Sequence, residues 1–153
     1  AIGTNGGAPT WASVVALVKE VEQDNAAVND GTLGFLTNPK VKSKLASTPK
    51  VASTDSVMIM NEPYSSLYGY PVSFTTNVPS DLTKGSTSGT CSAMIYGDFS
   101  QLMLGVFGGG PDILVDPYTS SSSGTVRIVV MNEVDVAVRH AQSFAACLDY
   151  TTT

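Results

Sequence analysis

With 153 residues, 42% of them hydrophobic, the chain is long enough to bury its own core and too apolar for intrinsic disorder. No apolar run approaches the ~20 residues of a membrane span, and the Gly-rich first ten residues lack the basic-then-apolar order of a signal peptide. Only 14% of residues are charged, against roughly 25% in an average soluble domain, and the net charge of -5 argues against a nucleic-acid partner, which needs clustered bases.

Residues 1–8 read as a lead-in with no core-forming pattern. Thr10 is a helix cap. From there Trp11, Val14, Val15, Val18, Val21 and Val28 recur at helical spacing, with Lys19, Glu20, Glu22, Gln23 and Asp24 opposite. The spacing predicts an amphipathic helix of about five turns, closed at Asn29-Asp30-Gly31. Leu33 to Thr37 reads as a short strand. Asn38-Pro39 opens a second helix that runs to Leu45 or Ala46, with Asn38 as N-cap and Pro39 at the first helical position. Ser56 to Met60 is an apolar stretch, and Asn61-Glu62-Pro63 a turn.

Beyond it the period changes to two. Tyr70 to Thr75 alternates weakly, with Pro71 placing it near an edge or a strand start. Residues 79–90 read as loop. Cys91 to Tyr96 is a strand, Gly97-Asp98 a turn, Leu102 to Phe107 a strand, Gly108-Gly109-Gly110-Pro111 a break, and Ile113 to Val115 a short extended piece. After the polar loop Ser120 to Gly124, Val126, Ile128 and Val130 alternate, then Val134, Val136 and Val138. Phe144 to Leu148 finishes a last strand. Two helices followed by a series of strands make an α+β class with segregated elements.

No catalytic, cofactor or metal chemistry rises above background. The triple glycine is followed by Pro111-Asp112 and not by Lys-Ser or Lys-Thr, so it is a connection and not a phosphate cradle. His140, the sole histidine, would have to serve any Ser–His–acid arrangement, but Arg139 disfavours its imidazolium and no GxSxG elbow exists. It reads as structural or exposed. Asp98, Asp112, Asp116, Glu133 and Asp135 are scattered, and Asp98 and Asp116 are typical turn residues. No Ca²⁺ loop occurs. Cys91 and Cys147 show no metal spacing and read as two buried thiols, with a disulfide between them the alternative. Lys40, Lys42 and Lys44, the one basic cluster, read as the solvated face of a helix. Trp11 reads as a core anchor. Residues 1–50 carry +1 and residues 51–153 carry -6. Such low-charge, hydroxyl-rich surfaces suit contact with neighbouring protein.

The ordered motifs resemble the C-terminal half of tailed-bacteriophage major capsid proteins of the Hong-Kong-97-type fold. The resemblance rests on five stretches after the first helix. These are Phe35-Leu36-Thr37-Asn38-Pro39 with Leu45, then Leu67-Tyr68-Gly69-Tyr70-Pro71-Val72, then Asn77-Val78-Pro79, then Tyr96-Gly97-Asp98-Phe99-Ser100, and last Val134 to Arg139 with Ala141 and Phe144. It implies a lead-in at 1–9, an axial domain over 10–115, and peripheral-domain strands with the C-terminus over 116–153. It also implies a structural, non-enzymatic shell subunit, located in the virion and made in a bacterial cytoplasm. Its partners would be copies of itself, in pentamers and hexamers of the full-length protein, with no specific nucleic-acid binding, no membrane and no cofactor. The Lys–Asn cross-link of some members is not carried over, since no Asn matches and Asn132 is only nearby. An encapsulin-like compartment shell and a secreted β-rich binding module with a Cys91–Cys147 disulfide remain the alternatives.

Overall fold

The computed structural model describes residues 2–26, 31–53 and 57–152. They fall into two units, residues 1–100 with 140–153, and residues 101–139.

In the first unit, α1 (Trp11–Gln23) opens on a reciprocal cap. Ser13 N donates to Thr10 Oγ1 (3.2 Å), and Thr10 N donates to Ser13 Oγ (3.1 Å). Val14, Leu17, Val18 and Val21 are its buried face. The helix ends at Gln23 with Asp24 as its C-cap, short of the five turns expected; Val28 and Asn29-Asp30 lie outside the described residues. β1 (Leu33–Thr37) falls where expected. Asn38 Oδ1 then accepts from Val41 N (3.0 Å) and opens α2 (Pro39–Ser47). Of the apolar stretch after it, Ser56 lies outside the described residues, while Ile59 and Met60 are buried.

β2 (Ser66–Leu67) and β3 (Tyr70–Phe74) follow, then β4 (Leu82–Lys84) and β5 (Thr87–Asp98). The expected loop over 79–90 therefore holds β4 and the start of β5. Thr87, Thr90 and their neighbours lack the apolar alternation that marks a strand, but Thr fits a pleated surface well. β8 (Phe144–Thr151) completes the sheet, longer than its sequence signal. The order is β2-β3-β1-β5-β4, with β8 also on β5. β1 and β3 are parallel and the other pairs antiparallel. α1 and α2 share one core with Leu33, Phe35, Met94, Tyr96 and Tyr150, in which the Phe35 and Tyr96 rings lie 4.6 Å apart.

The lead-in is not idle. Ile2 packs against the core and donates its N–H to buried Asp149 Oδ2 (2.7 Å). Gly7 bonds on both sides of Tyr150, from Gly7 N to Asp149 O (3.0 Å) and from Thr151 N to Gly7 O (2.9 Å). A segment poor in side chains docks through its backbone, which hydrophobic patterning cannot reveal.

The second unit is a two-stranded antiparallel ribbon of β6 (Leu102–Asp116) and β7 (Arg127–Val138). The break expected at the triple glycine is a bulge inside one continuous strand. Phe107 pairs with Glu133 and Asp112 with Met131, so five steps along β6 match two along β7. The extra residues are accommodated at Gly108, Gly109 and Gly110, with φ of 77°, 75° and 140°, a region that glycine enters without steric cost. The two alternating valine stretches merge likewise into the single strand β7, apart from Val126, which precedes it. The domain boundary expected at 115/116 falls within β6.

Candidate assembly interface

Residues directly opposite in an antiparallel ribbon share a face, and side chains alternate faces along each strand. One face carries the pairs Leu102–Val138, Leu104–Val136, Val106–Val134, Ile113–Val130 and Val115–Ile128. All ten side chains are aliphatic and all are exposed. Asn132 interrupts the row on β7. The other face mixes Met103–Ala137, Gly105–Asp135, Phe107–Glu133, Asp112–Met131, Leu114–Val129 and Asp116–Arg127. Roughly 100 Å² of each aliphatic residue stays accessible, on the order of 1,000 Å² together, well beyond the few hundred that a monomer ordinarily exposes in one patch. An isolated two-stranded ribbon is also marginal in water. One face is thus aliphatic apart from Asn132, whereas the other mixes apolar side chains with all the charge of the two strands.

The sequence showed this face only in part. Ile128, Val130, Val134, Val136 and Val138 all hold even positions, so the phase of alternation survives Asn132. That parity was the available signal that the two valine runs belong to one face.

The remaining candidate residues do not converge. His140 is exposed and gives its carbonyl to Ser143 N (3.1 Å). Asp98 is buried and accepts from Ser100 N (2.9 Å), as a turn residue would. Asp116 accepts from Tyr118 N and from Thr119 N and Oγ1; the Thr119 hydroxyl above all holds its carboxyl below the usual carboxylate range. Glu133 and Asp135 are exposed on β7. A groove of about 660 Å³ runs between α1 and β8, and His140 does not line it. Among the described residues no group of His, Cys, Asp and Glu could hold a metal ion, and no helix is long and apolar enough to cross a membrane.

Cys91 and Cys147 are free and buried, against the disulfide that a secreted module would carry. Burial pushes the Cys147 thiol up to about 11, helped by Asp149, whose Oδ1 accepts from Sγ (3.0 Å). Burial opposes ionisation of Asp149, but bonds from Cys147 and from the Ile2 and Gly3 N–H groups outweigh it and hold the carboxyl below its ordinary value.

Lys42 is half-buried and not the freely solvated lysine expected. Its Nζ lies 4.7 Å from the Phe74 ring centre and 5.4 Å from that of Tyr64. Lys50 Nζ lies 4.2 Å from the centre of the Trp11 ring, which is half-buried against the core.

A family model described as "Phage capsid family" matches residues 1–147. The chain belongs to the phage capsid family. None of the curated proteins compared with it matches. Solved structures share its fold at low identity. The capsid of a native GTA particle superposes with a TM-score of 0.66 at 16% identity, over 95% of this chain and 48% of that one. A Mycobacterium phage Ogopogo chain gives 0.59 at 15%, over 88% and 48%. The holo-SrpI encapsulin complex from Synechococcus elongatus gives 0.59 at 15%, over 100% and 55%. The chain spans about half the length of the phage and GTA capsid structures it matches. A capsid-like α+β fold, with two helices and a strand-rich remainder, is what these likenesses share.

Proposed function

We propose that the chain is one half of a major capsid subunit of Hong-Kong-97 type, whose copies close into an icosahedral shell around DNA in a virion. The helix-and-sheet unit corresponds to the axial domain that meets its copies around five-fold and six-fold centres. The ribbon supplies strands of the peripheral domain. The observation that carries this reading is the exposed aliphatic face of β6 and β7 in a member of the phage capsid family. Closed symmetry repeats one modest contact many times, so no single interface need be strong. The acidic balance suits a wall that releases the DNA it encloses, since phosphates are gripped by clustered bases. No enzymatic step is needed.

Electron microscopy of the full-length product tests this. Hollow polyhedral particles are expected, and soluble monomers alone would refute it. The likeness to an encapsulin over the whole chain supports a second reading, a compartment shell. Particles filled with protein and lacking DNA would favour that one.

A further inference from the structure

The first unit carries opposite charge on its two flanks. β3 stands on one side of β1, and β5 with β8 on the other. At the β3 flank, Lys42 rests on Phe74 of β3 and on Tyr64. Lys50 on Trp11 lies beside Tyr68, whose ring centre is 5.7 Å from that of Trp11 and which is exposed. Among the described residues neither Lys42 nor Lys50 has a carboxylate within ion-pair distance. The rings hold both ammonium groups in place, which lowers the entropy lost when an anion arrives. At the β8 flank, Glu20 of α1 and Asp24, its C-cap, lie four residues apart, exposed, and line the groove with Ala12, Ala16, Ala145 and Cys147. Small alanines leave the groove open and its acidic rim accessible. From β3, where Lys42 rests, through β1 and β5 to β8 is three strand spacings, ~14 Å, while Lys50 sits on Trp11 at the start of α1, next to Thr10 and Ala12 of the groove.

A surface with a basic ledge on one side and an acidic groove on the other is complementary to a second copy of itself placed head to tail. Such a contact is heterologous, and it closes into a ring when its rotation divides the circle. We propose that Lys42 and Lys50 of one copy, with the Tyr64 and Tyr68 rings around them, seat against Glu20 and Asp24 at the α1–β8 groove of the next copy. The inference rests on the capsid reading and adds which flanks meet. Charge here selects the partner face and the register of the ring more than it sets its strength.

The test is a charge swap in the full-length polypeptide, read by sedimentation and electron microscopy, with thermal melting as the check on folding. K42E/K50E and E20K/D24K should each fold and each lower the assembled fraction by about tenfold or more, as juxtaposed like charges repel. The fourfold variant, with both flanks reversed, should assemble again. The E20K/D24K pair alters exposed helix positions and so keeps its fold even if K42E/K50E does not. Assembly of either double variant at the unmodified level, or a folded fourfold variant that stays unassembled, overturns the contact. An unmodified protein that never assembles overturns the capsid reading itself, and is distinguishable because it fails before any substitution is made.

Discussion

Leu104 and Val136 face each other on the aliphatic side of the ribbon, 66% and 57% exposed. Full burial of such a side chain is worth about 1.5–3 kcal/mol. About three fifths of that remains to be gained here, so covering the pair contributes roughly 1.8–3.6 kcal/mol per copy. Replacing both with alanine should weaken incorporation of each copy by roughly 20- to 400-fold. The same change should leave the melting of the isolated chain within about 0.5 kcal/mol, because the removed atoms already face water. Particle yield against protein concentration measures the first effect, and thermal denaturation of the 153-residue chain the second. Met103→Ala on the opposite face serves as the control and should assemble normally. The reasoning fails if assembly is unchanged, if the isolated chain loses as much stability as the particle, or if the control is equally defective.

Four further outcomes follow from the first unit and the ribbon. Gly97→Ala would place a Cβ 2.4 Å from Ser143 O and 2.5 Å from the Phe144 ring, at the register pair that joins β5 to β8. Overpacking against backbone should cost about 2–3 kcal/mol and lower the melting temperature by several degrees. Asp149→Ala strands the Ile2 N–H and the Cys147 thiol; a loss of about 1–3 kcal/mol is expected, with faster hydrogen exchange over residues 2–7. Because the folded protein holds the Asp149 carboxyl below 3.8, its contribution is present above that pH and is lost as the pH falls through and beneath it, so the stability gap between wild type and variant should narrow in acid. Cys147 has the opposite sign. Its proton is retained up to about 11 in the fold but released near 9.0 when unfolded, so stability should decline from pH 9 toward 11, less so in Cys147→Ala, as urea titrations at each pH would show. In the isolated chain, amides of β6 and β7 should exchange faster than those of β5, since a lone ribbon has little to hold it closed.

The sequence was most legible where local chemistry decides the outcome. Thr10 and Asn38 satisfy orphan helix N–H groups, and Pro39 fits the first helical position whatever the tertiary context, so both helix starts and the strand between them were readable. It was least legible where backbone or distant partners decide. Ile2 and Gly7 find their place only because Asp149 and Tyr150 come from the far end of the chain. The strand β4 exists because β5 offers it a partner, although Leu82-Thr83-Lys84 has almost no pattern of its own. The ribbon misled in a third way. Glycines that usually punctuate became a bulge, because β7 continues past them and holds the two parts of β6 in one ladder. The basic cluster was readable as charge on a helix. That Lys42 lies on aromatic rings depended on Tyr64 and Phe74, more than twenty residues away.

The scarcity of charge takes on a physical meaning once its placement is known. A chain with 21 ionisable acids and bases among its 153 residues must keep them where they prevent collapse or direct contact. In the ribbon all the charge of β6 and β7 — Asp112, Asp116, Arg127, Glu133 and Asp135 — sits on the face away from the aliphatic row. That arrangement leaves one side of the ribbon uncharged and the other a mixture of charged and apolar side chains. Random pairing between bare aliphatic faces would be indiscriminate, because apolar contact has no direction. Charge supplies the direction. Like-signed acidic faces repel when two ribbons meet with the wrong sides together. In the proposed contact, Lys42 and Lys50 against Glu20 and Asp24 would favour one head-to-tail order over its reverse. On the proposed reading, area would give a shell its cohesion and a few fixed charges would choose the partner face, so a subunit could carry little charge and still select its neighbours.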